Sequence, residues 1–131
     1  MSGQRIFVVD DNEMAREVAR AVLEDGGFQV ECFGSGFQLN AAIREQRPDL
    51  ILLDVLMPAL GGEQVAQILK RYEFSKDIPV LLYSELPAEE LVSLSELIGA
   101  EGFVRKSLAT VELVDQVNHY ISQSASPAPA Q

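Results

Sequence analysis

Residues 50–54, Leu-Ile-Leu-Leu-Asp, are the stretch that decides the fold, because four consecutive aliphatic residues lead directly to a carboxylate. A half-exposed strand would alternate apolar and polar residues, whereas a strand covered on both faces is apolar throughout. Strands of the second kind belong to parallel sheets that carry helices on both sides. The stretch therefore predicts an α/β fold with an acidic group at the end of a central strand.

Three further apolar runs of strand length lie elsewhere in the chain. Residues 6–9 and 80–83 are uniformly apolar, and Phe103 with Val104 forms a weaker run. Residues 28–33 instead alternate apolar and polar positions, which predicts a strand with one partly wet face. Strands one, three and four are thus expected at the centre of the sheet, with two and five at its edges.

Segments with helical periodicity follow each predicted strand. Each segment carries apolar residues three or four positions apart, which is typical of one face of an amphipathic helix. Their apolar positions are Ala15, Val18, Ala19, Val22 and Leu23; Leu39, Ala42 and Ile43; Val65, Ile68, Leu69 and Tyr72; Leu91, Leu94 and Ile98; and Leu113, Val117, Tyr120 and Ile121. This alternation predicts a doubly wound (βα)5 parallel sheet, and the expected central and edge strands match the order 2-1-3-4-5 known from flavodoxin-like folds.

The composition limits the domain count and the class of partner. A chain of 131 residues has room for one domain, expected over residues 1–121, with a Ser/Ala/Pro-rich tail or linker over 122–131. The net charge of −10 and the scattered basic residues argue against direct binding to nucleic acid or membrane. The lone Cys32 and the absence of a long apolar run indicate a cytoplasmic protein.

Polar side chains follow the predicted strands at the edge of the sheet where ligands bind. In an open parallel sheet, ligands bind beyond the carboxyl ends of the strands. Strand one is followed by Asp10 and Asp11, strand three by Asp54, strand four by Ser84 and strand five by Lys106. Three carboxylates, a hydroxyl and an ammonium group are therefore expected to meet there.

These groups predict phosphoryl chemistry. Three carboxylates repel one another unless a proton or a cation joins them, and an all-oxygen cluster with a hydrated side suits Mg²⁺. Asp54 is then the nucleophile that attacks phosphorus and forms an aspartyl phosphate, while Asp10 and Asp11 hold the metal directly or through water. Lys106 and Ser84 are expected to contact the phosphoryl oxygens.

Each of these residues also has an ordinary structural interpretation. Asp10 with Glu13 fits a capping pair for the first helix, and Asp54 fits a turn. Ser84 is a common type of helix-start residue, and Lys106 is a common type of solvated surface residue. Their combination at successive strand ends favours the chemical interpretation.

These motifs resemble those of the receiver domains of two-component response regulators, over residues 4–121. Residues 8–11, Val-Val-Asp-Asp, resemble the acidic pair of that family, and residues 54–58, Asp-Val-Leu-Met-Pro, resemble its phosphoacceptor loop. Ser84 stands where the family has a hydroxyl residue. Residues 99–106, Gly-Ala-Glu-Gly-Phe-Val-Arg-Lys, resemble the segment with the switch aromatic and the lysine.

The resemblance implies a set of metal ligands and a switch. Asp11, Asp54 and the backbone carbonyl of Leu56 would bind Mg²⁺. Ser84 would move toward the phosphoryl group while Phe103, otherwise a plain core aromatic, turns inward. This movement would reshape the surface of the fourth helix, fifth strand and fifth helix. The implied partners are a sensor histidine kinase or histidine phosphotransfer protein and a downstream output domain or effector.

Two residues depart from the family pattern. Ser107 follows the lysine where the family usually has a proline with a cis bond, and a cis bond before serine would cost about 2.5–4 kcal/mol. Glu85 follows the hydroxyl residue where the family favours a small side chain, and we expect it to slow phosphodonor entry. Leu56 and Leu86 are expected to hinder attacking water, so that the phosphoryl group is lost slowly.

Three other functions remain compatible with this fold. A phosphorylation-independent pseudo-receiver, acting as a protein-interaction module, is favoured by Glu85 and Ser107. An aspartyl-phosphate hydrolase would carry a second aspartate where this chain has Leu56, and a flavin carrier would carry a Ser/Thr/Gly-rich loop after strand one. We therefore expect a receiver that is not an enzyme and catalyses at most its own phosphoryl transfer and dephosphorylation.

Overall fold

A computed structural model describes residues 4–55, 62–73, 75–106 and 109–125, in which five strands alternate with five helices. The strands are β1 (Arg5–Val9), β2 (Gln29–Phe33), β3 (Leu50–Asp54), β4 (Val80–Ser84) and β5 (Gly102–Arg105). The helices are α1 (Glu13–Asp25), α2 (Leu39–Glu45), α3 (Gly62–Arg71), α4 (Ala88–Ile98) and α5 (Ala109–Ala125). None of them is long and apolar enough to span a membrane, as far as the described segments extend.

The strands form one parallel sheet in the order β2-β1-β3-β4-β5. This order confirms the predicted flavodoxin-like α/β fold, with β1, β3 and β4 inside and β2 and β5 at the edges. Every residue of β3 is buried, whereas β2 alternates between exposed Gln29 and Glu31 and half-buried Val30 and Cys32. The uniform and alternating sequence patterns thus correspond to central and edge strands, because only the central strand is covered on both faces.

Side chains of the central strands enter two separate cores in alternation. Leu50 and Leu52 pack with α1 and α5, while Ile51 and Leu53 pack with α2, α3 and α4. We call these sides the α1/α5 face and the α2–α4 face. Because successive strand residues point to opposite faces, Asp54 lies on the α1/α5 face.

The start of α1 differs from the proposed capping pair of Asp10 and Glu13. Asn12 caps the helix instead, and its side-chain oxygen accepts a hydrogen bond from the Ala15 amide at 2.9 Å. Asp10 Oδ1 accepts from the Asn12 amide, also at 2.9 Å. That interpretation of Asp10 is therefore wrong, since the first-turn donor is already satisfied by Asn12.

Helix α5 continues to Ala125, four residues beyond the predicted end of the domain at Ile121. The residues at 122–125 are Ser, Gln, Ser and Ala, which a final helical turn accommodates without an apolar stripe. The boundary between domain and tail stays a prediction, and residues 126–131 lie outside the described part of the chain.

We predict that Leu52→Ala lowers the free energy of unfolding by about 2–5 kcal/mol, because it removes a fully buried side chain and leaves a cavity. The matched control is Leu97→Ala in α4, where the leucine is 72% exposed and the change should stay within about 0.5 kcal/mol. Urea unfolding curves of both variants provide the measurement. Equal losses in the two variants would contradict the assignment of Leu52 to the core.

Candidate functional site

Three carboxylates meet beyond the carboxyl ends of β1 and β3. One oxygen from each of Asp10, Asp11 and Asp54 lies within 4.8 Å of the other two. The adjacent strands run in parallel register, with Val9 opposite Leu53, so that the residues that follow reach the same edge. Asp10 and Asp54 are buried and Asp11 is exposed, which gives this acidic cluster one open side.

The Asp10 carboxylate is held from several directions. Besides the bond from Asn12 to Oδ1, the guanidinium of Arg16 donates to the Asp10 backbone carbonyl at 2.8 Å. Asp10 Oδ2 is buried and forms an ion pair with Lys106 Nζ at 2.8 Å. Among the described residues, the Lys106 ammonium is therefore the charge that compensates this oxygen.

Lys106 extends into the acidic cluster. Its Nζ lies 2.8 Å from Asp10 Oδ2 and 3.6 Å from Asp54 Oδ1, and its side chain is only 18% exposed. Burial acts to lower the pKa of Lys106, but the contact with Asp10 and the attraction of Asp54 outweigh it and raise the pKa above the ordinary value. Lys106 is therefore a charged member of the site and not a solvated surface residue.

Tyr83 is a member of the site that the sequence analysis missed. It pairs with Asp54 in the parallel register of β3 and β4, and it is 2% exposed. The Lys106 ammonium lies over its ring, 5.4 Å from the centroid. Burial, followed by the negative charges of Asp10, Glu85 and Asp54, raises the pKa of Tyr83 to about 12. The phenol is thus neutral at physiological pH.

A signal for Tyr83 was present in the strand pattern. In the sequence, Tyr83 is predicted only as the last apolar position of the strand at residues 80–83. Leu81 packs on the α1/α5 face, so Tyr83, two residues later, points to the same face as Asp54. An aromatic hydroxyl at the carboxyl end of a central strand, on the face of a candidate nucleophile, would have identified it.

Ser84 and Phe103 lie on the α2–α4 face. Ser84 is buried, and its Oγ accepts a hydrogen bond from the Leu86 amide at 3.1 Å. It does not start α4, whose N-cap is Pro87. Phe103 is partly buried against the core of that face, and its register partner in β4 is Leu82. The strand alternation thus directs both candidate switch residues toward the same side of the sheet.

The segment after β4 is tied to β5. Arg105 Nε donates to the Leu86 backbone carbonyl at 3.2 Å. Between Ser84 and Leu86, the Glu85 side chain is exposed and is not one of the three clustered carboxylates. The predicted ligand carbonyl of Leu56 and the unusual Ser107 lie outside the described residues.

Comparison with known proteins identifies the family. A model of the response regulator receiver domain matches residues 6–118. The chain belongs to this family. Membership confirms the resemblance seen in the sequence and places the chain among signalling domains.

Curated relatives of this receiver domain are longer proteins. The DNA-binding response regulator MtrA of Mycolicibacterium smegmatis is 35% identical over 114 residues, which cover 87% of this chain and 49% of MtrA. The phosphate regulon transcriptional regulatory protein PhoB of Pseudomonas aeruginosa is 31% identical over 134 residues, covering 100% of this chain and 58% of PhoB. The receiver domain thus spans about half the length of the curated relatives it matches.

Solved structures share the architecture of this receiver domain. The signal receiver domain of a signal transduction histidine kinase from Syntrophus aciditrophicus is 30% identical, with a TM-score of 0.84, and the match covers 98% of this chain and 97% of that one. The chemotaxis protein CheY4 of Vibrio cholerae is 24% identical with a TM-score of 0.83, covering 90% and 98% of the two chains. The second likeness supports the fold alone.

We predict that Tyr83 makes the stability of the receiver domain fall at alkaline pH. An unfolded tyrosine loses its proton near pH ~10, whereas Tyr83 in the folded protein keeps it until about 12. The stabilising contribution is therefore complete below pH ~10 and is lost as the pH rises through the folded pKa. Urea unfolding at pH values above ~10 should show a steeper loss of stability in the wild type than in Tyr83→Phe.

The control for this prediction is Tyr72→Phe, because Tyr72 is 46% exposed. In this variant, the free energy of unfolding should fall with pH as steeply as in the wild type. The raised pKa of Lys106 also makes the free energy of unfolding fall at alkaline pH, and it does so in all three proteins. The measurement is therefore the difference between their slopes of unfolding free energy against pH. Parallel slopes for the wild type and Tyr83→Phe would contradict the prediction.

Proposed function

We propose that this receiver domain accepts a phosphoryl group on Asp54 with the help of Mg²⁺, and that phosphorylation changes the surface formed by α4, β5 and α5. The observation that carries the proposal is the acidic cluster with Lys106 in ion-pair contact with two of its members. The carboxylates suit a divalent cation, and the ammonium group suits the oxygens of a phosphoryl group bound beside it.

The donor groups of the site fit Mg²⁺. Asp10, Asp11 and Asp54 supply oxygen ligands only, and the buried Asp10 Oδ2 faces the cluster with Lys106 as its ion-pair partner. The exposed position of Asp11 leaves a hydrated side, which Mg²⁺ requires because it keeps several waters. These aspartates, together with the Leu56 carbonyl, would hold the ion, which when bound supplies positive charge to the phosphoryl oxygens.

Asp54 is the proposed nucleophile because β3 ends with its carboxylate inside the cluster. One carboxylate oxygen attacks phosphorus, and a new O–P bond forms as the P–N bond of a phosphohistidine donor breaks. The bonding electrons remain on the imidazole nitrogen, and the product is an aspartyl phosphate. Lys106 balances charge on the phosphoryl oxygens, and the Ser84 hydroxyl donates a hydrogen bond to one of them.

The proposed switch uses Ser84 and Phe103, and their position on one face supports it. Movement of Ser84 toward the phosphoryl group gives up the bond from the Leu86 amide and makes room for Phe103 to turn further inward. Phe103 borders a surface cavity of about 620 Å³ lined by residues of α4, β5 and α5. A change in its position therefore alters the surface that these three elements present to a partner.

The proposed donor is a sensor histidine kinase or a histidine phosphotransfer protein in the cytoplasm. The proposed recipient of the signal is an output domain or an effector protein, since the domain spans about half the length of relatives such as MtrA, which is named as DNA-binding. With a net charge of −10, this chain is not expected to contact nucleic acid itself.

We predict that the wild type gains one phosphoryl group when incubated with acetyl phosphate and Mg²⁺, and that Asp54→Asn gains none because the amide is not a nucleophile. Mass spectrometry of the intact protein measures both. The matched control, Asp25→Asn at the far end of α1, makes the same charge change and should be phosphorylated like the wild type. A wild type without an adduct would favour the pseudo-receiver to which Glu85 and Ser107 point.

We also predict that Mg²⁺ alone raises the thermal unfolding temperature of the wild type. A ligand present at about 100 times its Kd stabilises the folded state by about 2.7 kcal/mol. Asp11→Asn removes an exposed ligand of the cluster and should lose most of this gain, whereas Asp25→Asn should keep it. Thermal scans across a Mg²⁺ titration test this, and equal gains in all three proteins would argue against a metal at the cluster.

A further inference from the structure

The Lys106 ammonium has a neutral neighbour in addition to its two carboxylates. Asp10 and Asp54 lie 2.8 Å and 3.6 Å away, and the Tyr83 ring centroid lies 5.4 Å away. An ammonium group within about 6 Å of a ring centroid is attracted by the electrons of the ring face, and the attraction grows as water is excluded. Tyr83 is buried, so this contact belongs to the stronger class.

The sheet order explains how the ring comes to lie there. Lys106 follows β5, whereas Asp54 ends β3, and β4 runs between these two strands. Tyr83 is paired with Asp54 on one side and with Val104 on the other. Val104 packs on the α1/α5 face, so Lys106, two residues later, leaves β5 on the same face as the Tyr83 ring, and its ammonium reaches the carboxylates with that ring 5.4 Å away.

We propose that Tyr83 is a positioning residue whose ring holds the ammonium of Lys106 at the acidic cluster. This inference rests on the proposed function, because it assigns Tyr83 a part in phosphoryl transfer to Asp54. The ring limits the conformations open to the lysine stem and attracts its charged end without neutralising it.

A neutral contact has an advantage over the two carboxylates. Asp10 and Asp54 are also the groups that would bind the metal, and a carboxylate bound to a cation attracts an ammonium group less strongly. The attraction between the Tyr83 ring and the ammonium group does not change when the metal binds these carboxylates. When Mg²⁺ weakens the ion pairs of Lys106 with Asp10 and Asp54, Tyr83 therefore keeps the ammonium group directed at the phosphoryl oxygens beside Asp54.

Two substitutions separate the ring from the hydroxyl. Tyr83→Leu removes the ring and keeps an aliphatic core side chain like that of Leu81, whereas Tyr83→Phe keeps the ring and removes the hydroxyl. With acetyl phosphate and saturating Mg²⁺, Tyr83→Leu should be phosphorylated roughly 3- to 30-fold more slowly than the wild type, the range that a cation–π contact corresponds to. Tyr83→Phe should stay within about threefold of the wild type.

A Lys106→Met background distinguishes positioning from a general effect on the core. If the ring acts through the lysine, adding Tyr83→Leu to Lys106→Met should slow phosphorylation by less than about twofold, because the two changes remove one shared interaction. A full additional loss in the double variant would overturn the inference. So would a wild-type rate in Tyr83→Leu.

Nuclear magnetic resonance tests the contact without any phosphodonor. Protons on the Lys106 Cε should be shifted upfield by the ring in the wild type and in Tyr83→Phe, and this shift should disappear in Tyr83→Leu. Unchanged Lys106 signals in a folded Tyr83→Leu protein would overturn the inference. A wild type that shows the ring shift but no phosphorylation would refute the proposed function while leaving the Tyr83–Lys106 contact established.

Discussion

The charge balance at the carboxyl edge of the sheet is the constraint on which the rest of the structure depends. Two buried carboxylates and an exposed third lie within 4.8 Å of one another, and the described residues place one ammonium, that of Lys106, in ion-pair contact with two of them. Burial of like charges is unfavourable unless cations or hydrogen bonds compensate it. The carboxylates of the cluster thus outnumber the ammonium group that the described residues supply, and this imbalance is the reason for proposing a further cation.

The two cores, one on each face of the sheet, hold the strands that carry the acidic cluster in place. Leu52 and Ile51 anchor β3 in opposite cores, so that β3 cannot slip by one residue without exchanging its two apolar faces. The same alternation sends Asp54 and Tyr83 to the α1/α5 face, and it sends Ser84 to the opposite face. The proposed nucleophile and the proposed switch residues thus lie on different faces of one sheet, and consecutive residues of β4, Tyr83 and Ser84, point to those two faces.

The loop after β4, residues 85–86, is bonded to both β4 and β5. Ser84 accepts from the Leu86 amide, and Arg105 donates to the Leu86 carbonyl, so this short segment is held from both β4 and β5. A displacement of Ser84 must disturb a residue that β5 also holds. Phe103 belongs to β5, so in the proposed switch these contacts would link the acidic cluster to the surface formed by α4, β5 and α5.

The sequence alone determined the fold class, the division into central and edge strands and the polar residues at the ends of β1, β3, β4 and β5, because apolar periodicity and the rules of parallel sheets depend on local pattern. The full strand order came from matching that division to the known flavodoxin-like arrangement. The sequence placed the acidic and basic groups at one edge, but it assigned Asp10 a capping alternative that Asn12 fills, and it passed over Tyr83. Only the tertiary structure decided which groups touch. The Lys106 contacts with Asp10 and the Tyr83 ring join groups at the carboxyl ends of three different strands, β1, β4 and β5, and their distances depend on register and packing that no local pattern encodes.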